Sequence, residues 1–102
     1  MRKFETLLLL SPELSSDARN ELLEGFKAVI EREGGKVLVE DQWGMRDLAY
    51  PVQKQMRGFF MRYEYAAPGA LVAELERNIR IAEGVFKFIT VKLADEVEEV
   101  AA

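Results

Sequence analysis

Apolar residues crowd the first ten positions, where Phe4 to Leu10 reads FETLLLL and stops at Ser11-Pro12. The run is too short for a typical helix and ends on a turn signal, which together predict a buried strand. The period then changes. Ser15, Ser16 and Asp17 are residues that cap helix N-termini, and beyond them Leu22, Leu23, Phe26, Val29 and Ile30 recur at three- and four-residue spacing up to Gly34-Gly35. This pattern predicts an amphipathic helix with a glycine stop. Lys36 to Glu40 alternates through Val37 and Val39, and Gly58 to Ala66 alternates through Phe59, Met61, Tyr63 and Tyr65, so each predicts a strand. Pro68 opens a second helix with Leu71, Val72, Leu75 and Ile79 on one stripe, ending near Gly84. Val85 to Leu93 predicts the last strand, and the acidic tail over residues 95–102 is expected to be disordered.

The order βαββαβ is that of an α+β, ferredoxin-like fold, here expected as one domain over residues 1–94. Right-handed crossovers place both helices on one face of a four-stranded antiparallel sheet and leave the other face without a helix. On that face the alternation sets Lys3, Glu5, Leu7 and Leu9 of the first strand and Phe60, Arg62 and Glu64 of the third. Lys–Glu and Arg–Glu pairs across the strands would solvate part of it. Leu7, Leu9 and Phe60, joined by Val85, Ile89 and Val91 if the last strand has the matching parity, would form an apolar patch large for a monomer.

Composition narrows the chemistry. The 102 residues include no Cys and no His, which removes disulfides, thiolate metal sites and the usual general base together. The loop between first strand and first helix, SPELSS, has no glycine to cradle a phosphate, and fold alone supplies no reaction. No catalytic residues, no metal site and no enzyme activity are expected. The apolar run at the start is interrupted by Glu5 and lacks the length of a signal segment or membrane span, so a cytoplasmic protein is expected. Arg57-Gly58-Phe59 begins like the octapeptide that presents base-stacking aromatics in one class of RNA-binding sheet, but the fifth residue is Met61. Turning Phe59 and Met61 outward would also bury Arg62 and Glu64, so Phe59 is assigned to the core.

The stretch between the two middle strands stands apart. From Asp41 to Gly58 it holds the only tryptophan and a Tyr-Pro pair. Between Gln42 and Arg62 the cations Arg46, Lys54, Arg57 and Arg62 face one anion, Asp47, giving +3 in a chain of net charge -4, so the remainder sums to -7. Such polarity lets one end approach phosphates while the other stays in solvent. Tyr50-Pro51 fixes an extended backbone, and Pro51, lacking an N–H, belongs at a sheet edge or just beyond one.

WGMRDLAYPVQK, Trp43 to Lys54, resembles the hallmark of the family formed by the sixth protein of the bacterial small ribosomal subunit, the S-six family. Met1-Arg2, the Phe4-Glu5 pair and Arg80-Ile81 before the last strand match the same family, and the likeness spans essentially the whole chain. Met45 departs from it, standing where many members carry a basic residue. The resemblance implies a structural protein that binds the central domain of small-subunit ribosomal RNA together with the S-eighteen ribosomal protein, with no catalysis and no cofactor. An acidic chain should bind RNA poorly alone, so cooperation with a basic partner is expected, with the isolated chain a monomer.

Residue chemistry and the family likeness together assign Arg2, Lys3, Arg46, Lys54, Arg57, Arg80 and Lys87 to RNA. Trp43, Leu48, Tyr50 and Pro51 are assigned to the partner, as rigid apolar anchors. A contrasting expectation is a ferredoxin-like regulatory or interaction module that dimerises through its helix-free sheet face.

Overall fold

The computed structural model describes residues 1–94, so the expected acidic tail over 95–102 lies outside the described residues. The elements follow in the order β1 (Arg2–Leu10), α1 (Ser16–Arg32), β2 (Lys36–Val52), β3 (Gln55–Ala67), α2 (Gly69–Ile81) and β4 (Val85–Ala94). The strands form one sheet in the order β2-β3-β1-β4, and β1–β3, β1–β4 and β2–β3 are all antiparallel. This is the βαββαβ fold that the apolar periods predict.

Local chemistry starts each helix where it was expected. Ser15 is the N-cap of α1, its Oγ accepting from the Ala18 N–H at 3.1 Å, and Pro68 precedes α2 in extended backbone at φ -66°. Leu23, Phe26, Val29 and Ile30 of α1 and Leu71, Leu75 and Ile79 of α2 are buried against Phe4, Leu8 and Leu10 of β1 and Phe59, Met61, Tyr63 and Tyr65 of β3. Phe59 is thus in the core, as its flanking charges require. The polar atoms inside this layer are paired. Thr6 Oγ1 bridges Tyr65 Oη and Thr90 Oγ1, each at 2.9 Å, and Tyr63 Oη donates to the Leu23 carbonyl at 3.2 Å.

Three features correct the sequence reading. First, β2 does not stop at Glu40 but continues to Val52, so Asp41–Gly58 is not a connection between short strands but a long two-stranded arm. The alternation fails because register shifts interrupt the β2–β3 ladder between Val37 and Val39, between Gln42 and Gly44, and between Asp47 and Val52. Each extra residue reverses which face the following side chains take. Gly44 supplies φ +82° at the second shift, a value that costs glycine nothing. Second, Val85 packs on the core rather than the helix-free face, because a register shift between Leu9 and Leu10 separates it from Lys87 and Ile89. Third, the helix-free face is not bare. Residues 48–51 leave the ladder and arch over it toward β4.

The arm closes at Gln53 and Lys54, with φ of 51° and 64° between the paired residues Val52 and Gln55. Two left-handed residues make this a hairpin turn of the kind that Asn-Gly fills without strain. Replacing Gln53-Lys54 by Asn-Gly should raise the unfolding free energy by about 0.5–1 kcal/mol in urea titrations. No gain would mean that the arm opens before the rest of the sheet unfolds.

Candidate nucleic-acid and partner interface

The helix-free face carries a charged half and an apolar half. Toward the start of β1, Arg62 donates to Glu5 and to Glu64, the latter at 3.2 Å, and lies 3.9 Å from Asp41, while Lys3 pairs with Glu64 at 3.4 Å. The bond to Glu5 is the main reason the Arg62 guanidinium is held above its ordinary pKa. These charges satisfy one another, as the cross-strand pairing predicts.

Toward the end of β1, Leu7 and Leu9 sit beside Phe60 and Ile89, and the arch of residues 47–52 covers them, enclosing a cleft of about 260 Å³. Leu9 is only 6% exposed on a face with no helix. Gly58 allows this, since a Cβ there would lie 2.2 Å from Leu9 Cδ1. Farther along β4, Ile89, Val91 and Leu93 remain exposed.

The four residues assigned to a partner lie on the arm. Trp43 is 40% exposed, leans on Phe60 with ring centroids 6.2 Å apart, and donates its indole N–H to Asp41 at 2.9 Å. Leu48 lines the cleft, Tyr50 is 61% exposed, and Pro51 lies exposed in edge strand β2 where its missing N–H costs no ladder bond.

The seven cations assigned to RNA are not brought together into one patch. Arg2 and Lys3 stand at one end of β1, with the Arg2 guanidinium packed over Gly69. Arg46, Lys54 and Arg57 stand on the arm beyond the other end, roughly 25 Å or more away by the rise of the intervening strand. Arg57 pairs with Asp47 at 3.2 Å, whereas Arg46 and Lys54 have no carboxylate partner among the described residues. Arg46 instead bonds the Trp43 carbonyl at 3.3 Å and lies 5.8 Å from the indole centroid. Arg80 and Lys87 flank β4 from opposite sides. Arg80 is on α2, 3.9 Å from Glu76 and 5.5 Å from the Phe88 ring centroid, while Lys87 reaches Tyr50 across the helix-free face. The +3 counted along the arm segment already includes the Arg57–Asp47 pair, and Arg62 is offset further by Glu5 and Glu64, outside the segment.

Sequence reasoning missed Arg19, whose guanidinium lies 4.0 Å from the centroid of Phe59 at the root of the arm. Nothing in the spacing of residues 40 apart could have signalled it. Among the described residues no group of three or more His, Cys, Asp or Glu is placed to hold a metal, and no helix is long and apolar enough to cross a membrane.

Known proteins match this architecture closely. The family model described as Ribosomal protein S6 matches residues 3–92. A protein of Nitratidesulfovibrio vulgaris named Small ribosomal subunit protein bS6 is 70% identical over 101 residues, covering 99% of this chain and 100% of its own length. A protein of that name from Oleidesulfovibrio alaskensis is 67% identical over the same shares of both chains. A crystal structure of 30S ribosomal protein S6 from Thermotoga maritima superposes with a TM-score of 0.86 at 26% identity, over 89% of this chain and 86% of the other. These are ribosomal proteins by name and not enzymes. The chain therefore belongs to the ribosomal protein S6 family, a family of the small ribosomal subunit.

Proposed function

We propose that this chain binds the central domain of small-subunit ribosomal RNA cooperatively with the S-eighteen ribosomal protein, as a structural component acting on ribosomes in the cytoplasm. The observation that carries the reading is the arm. It carries exposed Trp43 and Tyr50 together with Arg46 and Lys54, cations without a carboxylate partner among the described residues, in a chain whose net charge is -4. Aromatic anchors fit a protein partner, and unpaired cations fit phosphate. Arg2, Lys3, Arg57, Arg80 and Lys87 complete the proposed RNA-facing set, and Leu48 and Pro51 the proposed partner surface.

An acidic monomer with few free cations has little electrostatic drive toward RNA, since each neutralised phosphate contributes through counterion release. A basic partner on the apolar face supplies the missing charge. In titrations of an RNA fragment from the central domain, the partner should tighten RNA binding by about 5–150-fold, and RNA should tighten partner binding by the same factor. Neutralising a true phosphate contact should flatten the slope of log affinity against log salt by about one unit. Tyr50→Ala should weaken partner binding by more than about 1 kcal/mol. Because Tyr50 is mostly exposed, the free protein should keep its stability. Equal RNA affinity with and without the partner removes the cooperative mechanism, and a large stability loss with intact partner affinity removes the interface role of Tyr50.

A further inference from the structure

Tyr50 and Lys87 belong to different proposed sets, one for the partner and one for RNA, yet they engage each other. Lys87 Nζ donates to Tyr50 Oη at 3.3 Å and lies 5.1 Å from the ring centroid. The contact crosses the helix-free face from edge strand β2 to the opposite edge strand β4. No carboxylate pairs with Lys87 among the described residues, so the phenol and its π face are what hold the ammonium.

The strand that carries Tyr50 is lightly held at this point. Residues 48–51 have no ladder partner on β3, since pairing lapses between Asp47↔Arg57 and Val52↔Gln55. Tyr50 is 61% exposed, and below the arch lies the cleft lined by Leu7, Leu9, Phe60 and Ile89. Local opening of such a segment, with few backbone bonds to break, lies at the low end of the free-energy scale for a folded domain.

We propose that the Tyr50–Lys87 contact is a clasp in which a partner-binding aromatic and a phosphate-binding cation mask each other, so that engaging one releases the other. This inference rests on the RNA-binding reading above and locates part of the coupling within it. A phosphate approaching Lys87 must displace the phenol and the ring face. A partner that takes up Tyr50 removes that competitor in advance, and phosphate at Lys87 frees Tyr50 in turn, as linkage requires. An exposed cation–π contact corresponds to about a two- to fivefold factor in affinity, which is the share of the coupling the clasp can carry.

The test of the clasp needs the chain and RNA but no protein partner. At low salt, the affinity for the central-domain RNA fragment is measured for the unaltered chain, Tyr50→Ala, Lys87→Gln and the double variant. Opening the clasp should make Tyr50→Ala bind RNA about two- to fivefold more tightly than the unaltered chain. The gain should vanish in the Lys87→Gln background, because the freed cation is then absent. Tyr50→Leu, which keeps an apolar residue in the arch, should reproduce the gain and guards against a misfolded arm. Unchanged or weaker binding by both Tyr50 variants overturns the clasp, as does a gain that persists without Lys87. Absence of any salt-dependent RNA binding by the unaltered chain, both alone and with the S-eighteen ribosomal protein present, overturns the RNA-binding reading instead, and the clasp falls with it.

Discussion

Above pH 10 the domain should lose stability steeply, and Tyr63→Phe and Tyr65→Phe should each blunt the fall. Both phenols are almost wholly inaccessible, at 2% and 0% exposure, and burial pushes the pKa of each above the ordinary tyrosine value. For Tyr63 the nearby Glu40 and Glu24 carboxylates act in the same direction, while for Tyr65 the hydrogen bonds with Thr6 and Thr90 oppose it. A phenol whose folded pKa is raised contributes stability that is fully present below its unfolded value and is lost as pH rises toward the folded one. The window therefore opens near pH 10. Each such tyrosine costs about 1.4 kcal/mol per pH unit there, since the unfolded chain ionises freely and the folded one does not. Near neutrality Tyr63→Phe should cost only about 0.5–1.5 kcal/mol, the loss of its bond to the Leu23 carbonyl. Urea midpoints measured from pH 7 to 11 decide it. Parallel curves for variant and unaltered chain would show that the buried phenols do not govern the alkaline limb.

Arg62→Ala should destabilise the free domain by about 1–3 kcal/mol, and adding Glu64→Gln should restore part of the loss. Arg62, Glu5 and Glu64 have side chains 19%, 24% and 15% exposed, enough solvent to keep the cost below that of a fully buried pair. Glu5 and Glu64 stand directly opposite each other in the β1–β3 register. Without the guanidinium between them, two carboxylates face each other across a strand pair, with Lys3 offsetting part of the Glu64 charge. Glu64→Gln removes one of the two charges while keeping the shape. If the second substitution restores nothing, the loss came from the packing of the arginine stem and not from its charge.

The parts of this molecule that could be read in advance are those where one period persists. Leu23 to Ile30 and Leu71 to Ile79 hold helical spacing throughout, and Phe59 to Tyr65 holds strict alternation, so their core faces were evident. Phe59 is in the core because turning it outward would bury Arg62. Legibility ends where the chain adds residues to one strand. Three register shifts in β2 erase its alternation, the first already between Val37 and Val39, and the shift at Leu9/Leu10 sends Val85 to the core while Ile89 and Val91 face outward. The candidate site was legible as a list of residue types but not as a geometry. Trp43-to-Pro51 was marked by its own composition, yet that Asp47 would neutralise Arg57, or that Tyr50 would reach Lys87 on the far edge, depends on a fold-back no local pattern encodes.

The strand order in space sets a constraint in time. β1 lies between β3 and β4, so Leu8 waits for Met61 on one side and Phe88 on the other. As the chain emerges from synthesis, α1 and the β2–β3 arm can complete their local pairings early, and β3 can dock on β1. The outer edge of β1, with its run Leu7-Leu8-Leu9-Leu10, stays unpaired until residues 85–94 appear. At about 5–20 residues per second that interval is on the order of seconds. During it, a row of open backbone donors and acceptors beside four leucines is the most association-prone surface the chain displays. Slow codons between the end of β3 and β4, or truncation before Val85, should therefore send nascent chains toward aggregates rather than toward a stable three-stranded intermediate.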